Sequence, residues 1–159
     1  RLKTSVLLSA ALKIGAVLGD ASEEDAQKLY DFGIKMGLAF QLQDDFLDVY
    51  GNPKVFGKNI GGDILCNKKT FMLINALTLA DGHQRKELEK WISSTDFYPE
   101  EKIKAVTELY DKIGIGRICE EKINAYYAEG LSLLESIAMP YGKKEELKSF
   151  VCHLMNRKV

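Results

Sequence analysis

The sequence predicts an all-α protein, and three observations support this fold class. Apolar residues recur mainly at three- and four-residue steps, the spacing of amphipathic helices. Alternating runs of β-branched or aromatic residues, which mark strands, are nearly absent. Only 3 prolines occur in 159 residues, so few positions force a helix to end. The length suits one domain, and the 46% of hydrophobic residues suffice for a packed core.

The first two predicted helices are Leu2–Leu18 and a long segment that continues to about Tyr50. Ser22 is a candidate N-cap of the second helix, because acidic residues follow it and its hydroxyl oxygen can accept a bond from the first turn. Gly33 and Gly37 lie inside this helix without ending it. Glycine weakens a helix interior, so both positions predict close approach of a neighbouring helix.

The rest of the chain alternates helices with glycine- and proline-containing breaks. A glycine-rich loop is predicted from Gly51 to about Cys66. The further predicted helices are Lys68–Ala80, His83–Ile92, Pro99–Lys112, Arg117–Ala138 and Lys143 to about Asn156. Internal repeats and low-complexity tracts are absent from the sequence, and we expect residues 1–159 to belong to a single domain.

Composition and charge exclude several classes of function. The 22 Lys and Arg residues against 23 Asp and Glu give a net charge of −1, without the excess of positive charge typical of nucleic-acid-binding proteins. No apolar run is long enough for a transmembrane segment. Cys66, Cys119 and Cys152 are scattered, which predicts neither a disulfide framework nor a zinc site. We therefore expect a cytoplasmic protein with reduced thiols.

An unusual polar stripe lies late in the long helix. Gln41, Asp44, Asp45 and Asp48 fall at i, i+3, i+4 and i+7 on one face, while the other faces are mainly apolar. Burying unpaired carboxylates costs several kcal/mol, so cations or a water-filled cavity must compensate them. Taken alone, an Asp-Asp-x-x-Asp pattern is more typical of a solvated helix face than of a binding site.

The segment after the stripe separates these two interpretations. It is rich in glycine and lysine, with Gly57-Lys58-Asn59-Ile60-Gly61-Gly62-Asp63 followed by Asn67-Lys68-Lys69-Thr70. Glycine-rich backbone can approach a bulky anion, and lysine supplies positive charge for phosphate. Mg²⁺ is typically held by one or two carboxylates, waters and substrate phosphate oxygens. The combination favours a metal-bridged diphosphate pocket over a solvated face.

Several motifs in this region occur in the order found in a known family. They are Phe40-Gln41-x-x-Asp44-Asp45-x-x-Asp48, Gly51-Asn52-Pro53, Gly57-Lys58, Gly62-Asp63 and Asn67-Lys68-x-Thr70. Together they resemble the second aspartate-rich region of trans-isoprenyl diphosphate synthases, the farnesyl and geranylgeranyl diphosphate synthase family. Lys3-Thr4 resembles the lysine-threonine pair of the same family. The resemblance implies an all-α helical bundle of the isoprenoid synthase type.

The resemblance also implies a prenyltransferase reaction. Such enzymes condense an allylic diphosphate with isopentenyl diphosphate head to tail, and Mg²⁺-dependent loss of diphosphate leaves a carbocation on the allylic substrate. The implied metal residues are Asp44 and Asp45, with Asp48 and Asp63 in the outer shell. The implied diphosphate-binding residues are Lys3, Lys58 and Lys68. Lys3, Thr4 and Gln41 are the implied catalytic residues, with Thr4 and Gln41 beside the developing cation.

The sequence departs from the family pattern in one major respect. It contains neither a first aspartate-rich motif nor the basic residues that bind isopentenyl diphosphate. We therefore expect the C-terminal part of a longer synthase, with a fold incomplete at the N-terminus. This part is expected to be inactive alone and to belong to a homodimer in the full-length protein. The alternatives are a non-catalytic partner subunit of a prenyl synthase and a class I terpene cyclase, although the all-aspartate motif favours chain elongation.

Overall fold

The computed structural model describes residues 4–52, 60–139 and 141–155, and within these ranges the chain is helical without strands. The helices are α1 (Ser5–Leu18), α2 (Glu23–Tyr50), α3 (Gly62–Leu65), α4 (Phe71–Leu79), α5 (Gly82–Ser93), α6 (Pro99–Ile113), α7 (Ile115–Glu135) and α8 (Tyr141–Met155). The predicted all-α class is confirmed. Among the described residues, no helix has the combination of length and apolar character needed to cross a bilayer.

Local side-chain chemistry sets where several helices begin. The Asp25 amide donates to Ser22 Oγ at 3.1 Å, which confirms Ser22 as the cap of α2. Pro99 is the first residue of α6, as predicted. Asp81 and Gln84 form a reciprocal capping box at the start of α5. At α4, the Thr70 hydroxyl accepts from the Leu73 amide at 3.2 Å.

The structure differs from the predicted elements at three places. The short helix α3 interrupts the predicted glycine-rich loop. The left-handed conformation of Gly114 (φ 82°) alone separates α6 from α7, and Gly116 lies within α7. Helix α8 begins at residue 141 and includes Gly142, whereas a break was predicted there. At Gly114 a single left-handed residue suffices where the sequence pattern indicates a longer break.

The described chain divides into two compact units. The first unit contains residues 4–43 and 122–155, and the second contains residues 44–52 and 60–121. In the first unit, a Cβ atom at Gly33 would lie 2.7 Å from Ser9 Cα, and one at Gly37 would lie 2.6 Å from Ser5 Cα. The predicted close approach at both glycines is confirmed, and the approaching helix is α1. The apolar core of this unit comprises Ala16, Ala26, Leu29, Phe32, Met36, Leu134, Ile137 and Val151.

Helix α6 organises the second unit, because it packs against α3, α4 and α5. Its buried face carries Val106, Leu109 and Tyr110, with Leu88 of α5 and Met72 of α4 also fully buried in this unit. The same face of α6 carries a buried lysine, Lys102. The aspartate-rich end of α2 belongs to this unit.

Candidate active site

The aspartates of α2 do not form a solvated face. Asp45 is only 7% exposed, and Asp44 and Asp48 are half-buried. They lie on the last two turns of the 28-residue helix α2, where Leu47 and Val49 are also buried. Their burial requires compensating charge or hydrogen bonds. The interpretation of the stripe as ordinary surface therefore does not fit the structure.

Lys68 compensates two of the carboxylates at once. Its Nζ lies 3.0 Å from Asp45 Oδ1 and 2.6 Å from Asp63 Oδ2. Burial acts to lower the pKa of Lys68, but the hydrogen bonds and charges of Asp63 and Asp45 outweigh it and raise the pKa above the usual lysine value. The Lys68 side chain is 42% exposed, so part of this lysine is open to solvent. One lysine thus joins Asp45 of α2 to Asp63 of α3.

Asp48 ties α3 to the end of α2 through the backbone. Its Oδ2 accepts from the Asp63 amide at 2.9 Å, and its carbonyl oxygen accepts from the Gly61 amide at 2.5 Å. Burial raises the pKa of Asp48 above the usual carboxyl value, although the bond from the Asp63 amide acts in the opposite direction. Asp48 therefore fixes the backbone that presents the Asp63 carboxylate.

The turn after α3 directs Lys68 back towards Asp63. The Lys68 amide donates to the Asp63 carbonyl at 3.0 Å, and the Asn67 amide donates to the Ile64 carbonyl at 3.2 Å. These paired bonds are those of a Schellman motif, which needs one residue in the left-handed region. Asn67 occupies that position with φ 50°. Asparagine adopts this conformation more readily than most residues do.

A small cavity adjoins this cluster in the second unit. Its volume is about 20 Å³, and its lining includes Asp45, Asp63, Lys68, Lys102 and Tyr110. That volume holds about one water molecule, which is far less than a diphosphate group requires.

The carboxylates match the ligand preference of Mg²⁺ without enclosing an ion. Within the described ranges, no group of three or more His, Cys, Asp or Glu side chains is arranged to hold a metal. Asp48 Oδ2 and Asp45 Oδ1 already accept hydrogen bonds, from the Asp63 amide and Lys68. Mg²⁺ prefers hard oxygen donors and often keeps waters beside one or two carboxylates. The residues fit a partial Mg²⁺ site that needs further oxygen ligands.

Thr4 and Gln41 form a separate pair in the first unit. The Thr4 hydroxyl donates to Gln41 Oε1 at 3.0 Å. Lys3 and Lys58, the other two predicted diphosphate-binding residues, lie outside the described residues. The structure thus brings together Asp45, Asp48, Asp63 and Lys68 in one unit, and pairs Thr4 with Gln41 in the other.

The two histidines lie outside this cluster, and the buried Cys119 is not a candidate nucleophile. His83 and His153 are exposed. Cys119 is fully buried, and its burial, with the charges of Asp45 and Glu120, raises the pKa of its thiol to about 12. A thiol with so high a pKa is not a nucleophile at neutral pH.

Sequence reasoning missed one residue of the cluster entirely. Lys102 is 1% exposed, and its Nζ donates to Asn67 Oδ1 at 2.8 Å. A signal was present in the sequence, because Lys102 falls at the helical spacing of Val106 and Leu109 on the apolar face of α6. A lysine on an apolar helix face is therefore a candidate functional residue.

Comparisons with known proteins identify the family of this chain. A model of the family described as "Polyprenyl synthetase" matches residues 1–110. A short chain isoprenyl diphosphate synthase of Methanocaldococcus jannaschii is 40% identical over 109 residues, which are 69% of this chain and 33% of that protein. A crystal structure of geranylgeranyl pyrophosphate synthase superposes with a TM-score of 0.88 at 35% identity, covering 99% of this chain and 49% of that one.

A further solved structure carries ligands. It is a geranylgeranyl pyrophosphate synthase from Corynebacterium glutamicum complexed with isoprenyl diphosphate and magnesium, 27% identical with a TM-score of 0.79 over 91% of this chain and 41% of that one. The chain therefore spans between a third and half of the length of these relatives. The family match covers residues 1–110, which include the aspartates of α2 and the turn that carries Lys68. The chain therefore belongs to the polyprenyl synthetase family.

Proposed function

We propose that this chain contributes the second aspartate-rich half of a prenyl transfer site. In this proposal Asp44 and Asp45 bind Mg²⁺, with Asp48 and Asp63 in the outer shell. The observation that carries it is the position of Lys68 between Asp45 and Asp63, with its side chain 42% exposed. Such a lysine can bind a phosphate oxygen while the acids beside it bind the metal.

The substrates in this proposal are an allylic diphosphate and isopentenyl diphosphate. The chemistry that Mg²⁺ supplies when bound is neutralisation of charge on the leaving diphosphate. Lys68, together with Lys3 and Lys58, holds the diphosphate oxygens as the allylic carbon–oxygen bond breaks. Support comes from the Corynebacterium glutamicum relative, whose structure contains isoprenyl diphosphate and magnesium.

Two polar side chains are assigned to the developing carbocation. Thr4 donates its hydroxyl proton to Gln41 Oε1, so lone pairs of Thr4 Oγ1 remain to face a cation. In the proposal, these oxygen dipoles stabilise the positive charge before the isopentenyl double bond attacks it. That attack forms the new carbon–carbon bond and leaves a second carbocation, which becomes a double bond when it loses a proton to the released diphosphate.

The remaining parts of the proposal concern the assembly. The family resemblance implies a homodimer in the full-length protein. It also implies that prenyl transfer needs a first aspartate-rich motif, which the 159 residues do not contain. We therefore expect the purified chain to bind Mg²⁺ and diphosphate without forming longer prenyl products.

Calorimetric titration of the purified chain with inorganic pyrophosphate tests the proposed site. Binding is expected in the presence of Mg²⁺ and is expected to be lost when EDTA removes the metal. Asp45→Asn removes one proposed metal ligand with little change of shape. Its affinity is expected to fall by at least about tenfold, the usual loss when a metal site is impaired.

Glu89→Gln is the matched control, because Glu89 is an exposed acid of the same unit that pairs with Arg85. Its affinity should equal that of the parent, and circular dichroism should show both variants folded. Pyrophosphate binding that ignores Mg²⁺, or that survives Asp45→Asn unchanged, would contradict the proposal. Absence of any heat from the parent would favour the non-catalytic subunit.

A further inference from the structure

Lys102 is a buried lysine without a part in the proposed binding of Mg²⁺ and diphosphate. It lies on α6, is 1% exposed, and within the described residues forms no ion pair with a carboxylate. Its ammonium has two contacts, the Asn67 Oδ1 atom at 2.8 Å and the Phe97 ring, whose centroid is 4.2 Å away. Burying a charge without a counter-ion is costly, so a lysine kept there calls for a physical reason.

Stability of α6 does not supply that reason. Lys102 is the fourth residue of the helix, near the N-terminal end, where the helix dipole disfavours a cation. Burial also lowers the pKa of Lys102, which means that its charged form is disfavoured in the fold. An apolar residue of similar length would suit this position at least as well. An apolar residue would lose the contacts with Asn67 and with the Phe97 ring, and of these two only Asn67 lies in the turn that carries Lys68.

Asn67 is held by both ends of its side-chain amide. Oδ1 accepts from Lys102 Nζ, and Nδ2 donates to the Ile92 carbonyl at 3.0 Å. The backbone of Asn67 is in the left-handed region, and the Schellman turn built on it sends Lys68 back to Asp63. Anchoring the Asn67 side chain therefore restrains the turn that places the Lys68 ammonium.

We propose that Lys102 is a positioning residue, which acts through the side chain of Asn67 to hold Lys68 at the diphosphate site. The three residues form a chain of contacts, from Lys102 on α6 to Asn67 in the turn and then to Lys68 between Asp45 and Asp63. This inference rests on the proposed function for its purpose, the binding of diphosphate. Its structural part, the restraint on Lys68, is testable separately.

Lys102→Met is the first test, because methionine has a similar length and needs no hydrogen-bond partner. The first measurement is acetylation of lysine amines by acetic anhydride, followed by peptide mass spectrometry. Lys68, held by two carboxylates, is expected to react more slowly than its exposed neighbour Lys69. In Lys102→Met the ratio of Lys68 to Lys69 acetylation should rise severalfold. Lys104→Met, an exposed position on the same helix, should leave the ratio unchanged.

The second measurement is Mg²⁺-dependent binding of inorganic pyrophosphate. Lys102→Met should weaken it by about tenfold, as removal of a partner that orients a binding residue usually does. Thermal unfolding that remains cooperative shows that the variant is folded. A folded Lys102→Met with the parental acetylation ratio, or with parental pyrophosphate affinity, would overturn the inference. A parent that fails to bind pyrophosphate would instead overturn the proposed function, while the acetylation ratio still decides whether Lys102 restrains Lys68.

Asn67→Gly tests the route of the effect. Glycine keeps access to the left-handed conformation and removes only the side chain that Lys102 holds. Its acetylation ratio should rise as in Lys102→Met, and the double variant should show no further rise, because both changes break the same contact. Independent effects that multiply in the double variant would show that Lys102 does not act through Asn67.

Discussion

The buried serines of α1 in the first unit and the buried charged residues Asp45 and Lys102 in the second unit find their partners in different ways. In the first unit, Ser5 and Ser9 are fully buried, and the Ser9 hydroxyl donates to the Ser5 carbonyl within α1 at 2.7 Å. In the second unit, the buried Asp45 and Lys102 find partners 23 and 35 residues away in sequence, at Lys68 and Asn67. The first arrangement is complete within one helix, whereas the second exists only when several elements have assembled.

This difference predicts which kind of substitution destabilises each unit most. Small buried serines beside glycines allow α1 and α2 to approach closely, so the first unit depends on volume. Ions and amides that bond across elements have no such packing benefit and cost free energy to desolvate. We therefore expect the first unit to respond most to changes of size, and the second to changes of charge.

The largest expected effect on stability is in the first unit. Gly37→Ala places a Cβ atom 2.6 Å from Ser5 Cα, and a backbone atom cannot move aside as a side chain can. The free energy of unfolding should fall by about 3 kcal/mol, the upper part of the usual range for overpacking. Urea denaturation measures this loss.

Gly15→Ala is the matched control for that variant. Gly15 lies in α1 with no atom within 4 Å of its added Cβ, so alanine should stabilise the helix by up to about 1 kcal/mol. Equal stabilities of the two alanine variants would show that the close approach of α1 and α2 does not limit the first unit.

The same division explains what the sequence predicted well. The 28-residue helix α2, its Ser22 cap and the close approach at Gly33 and Gly37 depend on local spacing and residue size. These properties depend on residues close together in the sequence, so periodicity and capping rules can predict them. The same reasoning placed the aspartate stripe on a helix whose surrounding residues suit burial.

The parts that sequence did not predict depend on distant contacts. Helix α3 is held by the Asp48 carbonyl and carboxylate, which accept from Gly61 and Asp63, and no spacing rule anticipates that pairing. The contact between Lys102 and Asn67 joins residues 35 positions apart. A lysine on an apolar helix face marks a candidate, but only the fold shows which residue it contacts.

The second expected effect is in the second unit. Lys68→Met removes the ammonium that neutralises Asp45, whose side chain is 8% exposed. The free energy of unfolding should fall by about 1–2 kcal/mol, less than for a fully buried ion pair, because Lys68 itself is partly screened by solvent. Denaturation at low salt and at high salt measures this loss, which should shrink as the salt concentration rises.

Lys35→Met provides the comparison in the first unit. Lys35 pairs with Glu129, which is half exposed, so the loss of this ion pair should leave the denaturation curve unchanged within error. A larger loss for Lys35→Met than for Lys68→Met would break the assignment of charge sensitivity to the second unit.

Among the variants of the aspartate and lysine cluster, the smallest expected effect on stability is at Asp48, and it depends on pH. Because burial raises the folded-state pKa of Asp48 above 3.8, its contribution to stability is present below that pH and is lost as the pH rises through the folded pKa. Asp48→Asn keeps an oxygen that accepts from the Asp63 amide and carries no charge. The variant should therefore gain stability relative to the parent between pH 4.5 and pH 7, by less than about 1 kcal/mol, the scale of a half-buried site. Urea denaturation at both pH values measures the difference.

If the parent instead became more stable relative to the variant as the pH rose, hydrogen bonding and not burial would dominate the pKa of Asp48. Asp48→Asn could be at least as stable as the parent at pH 7 and still bind Mg²⁺ and pyrophosphate more weakly. That result would show that the Asp48 carboxylate serves ligand binding and lowers the stability of the fold.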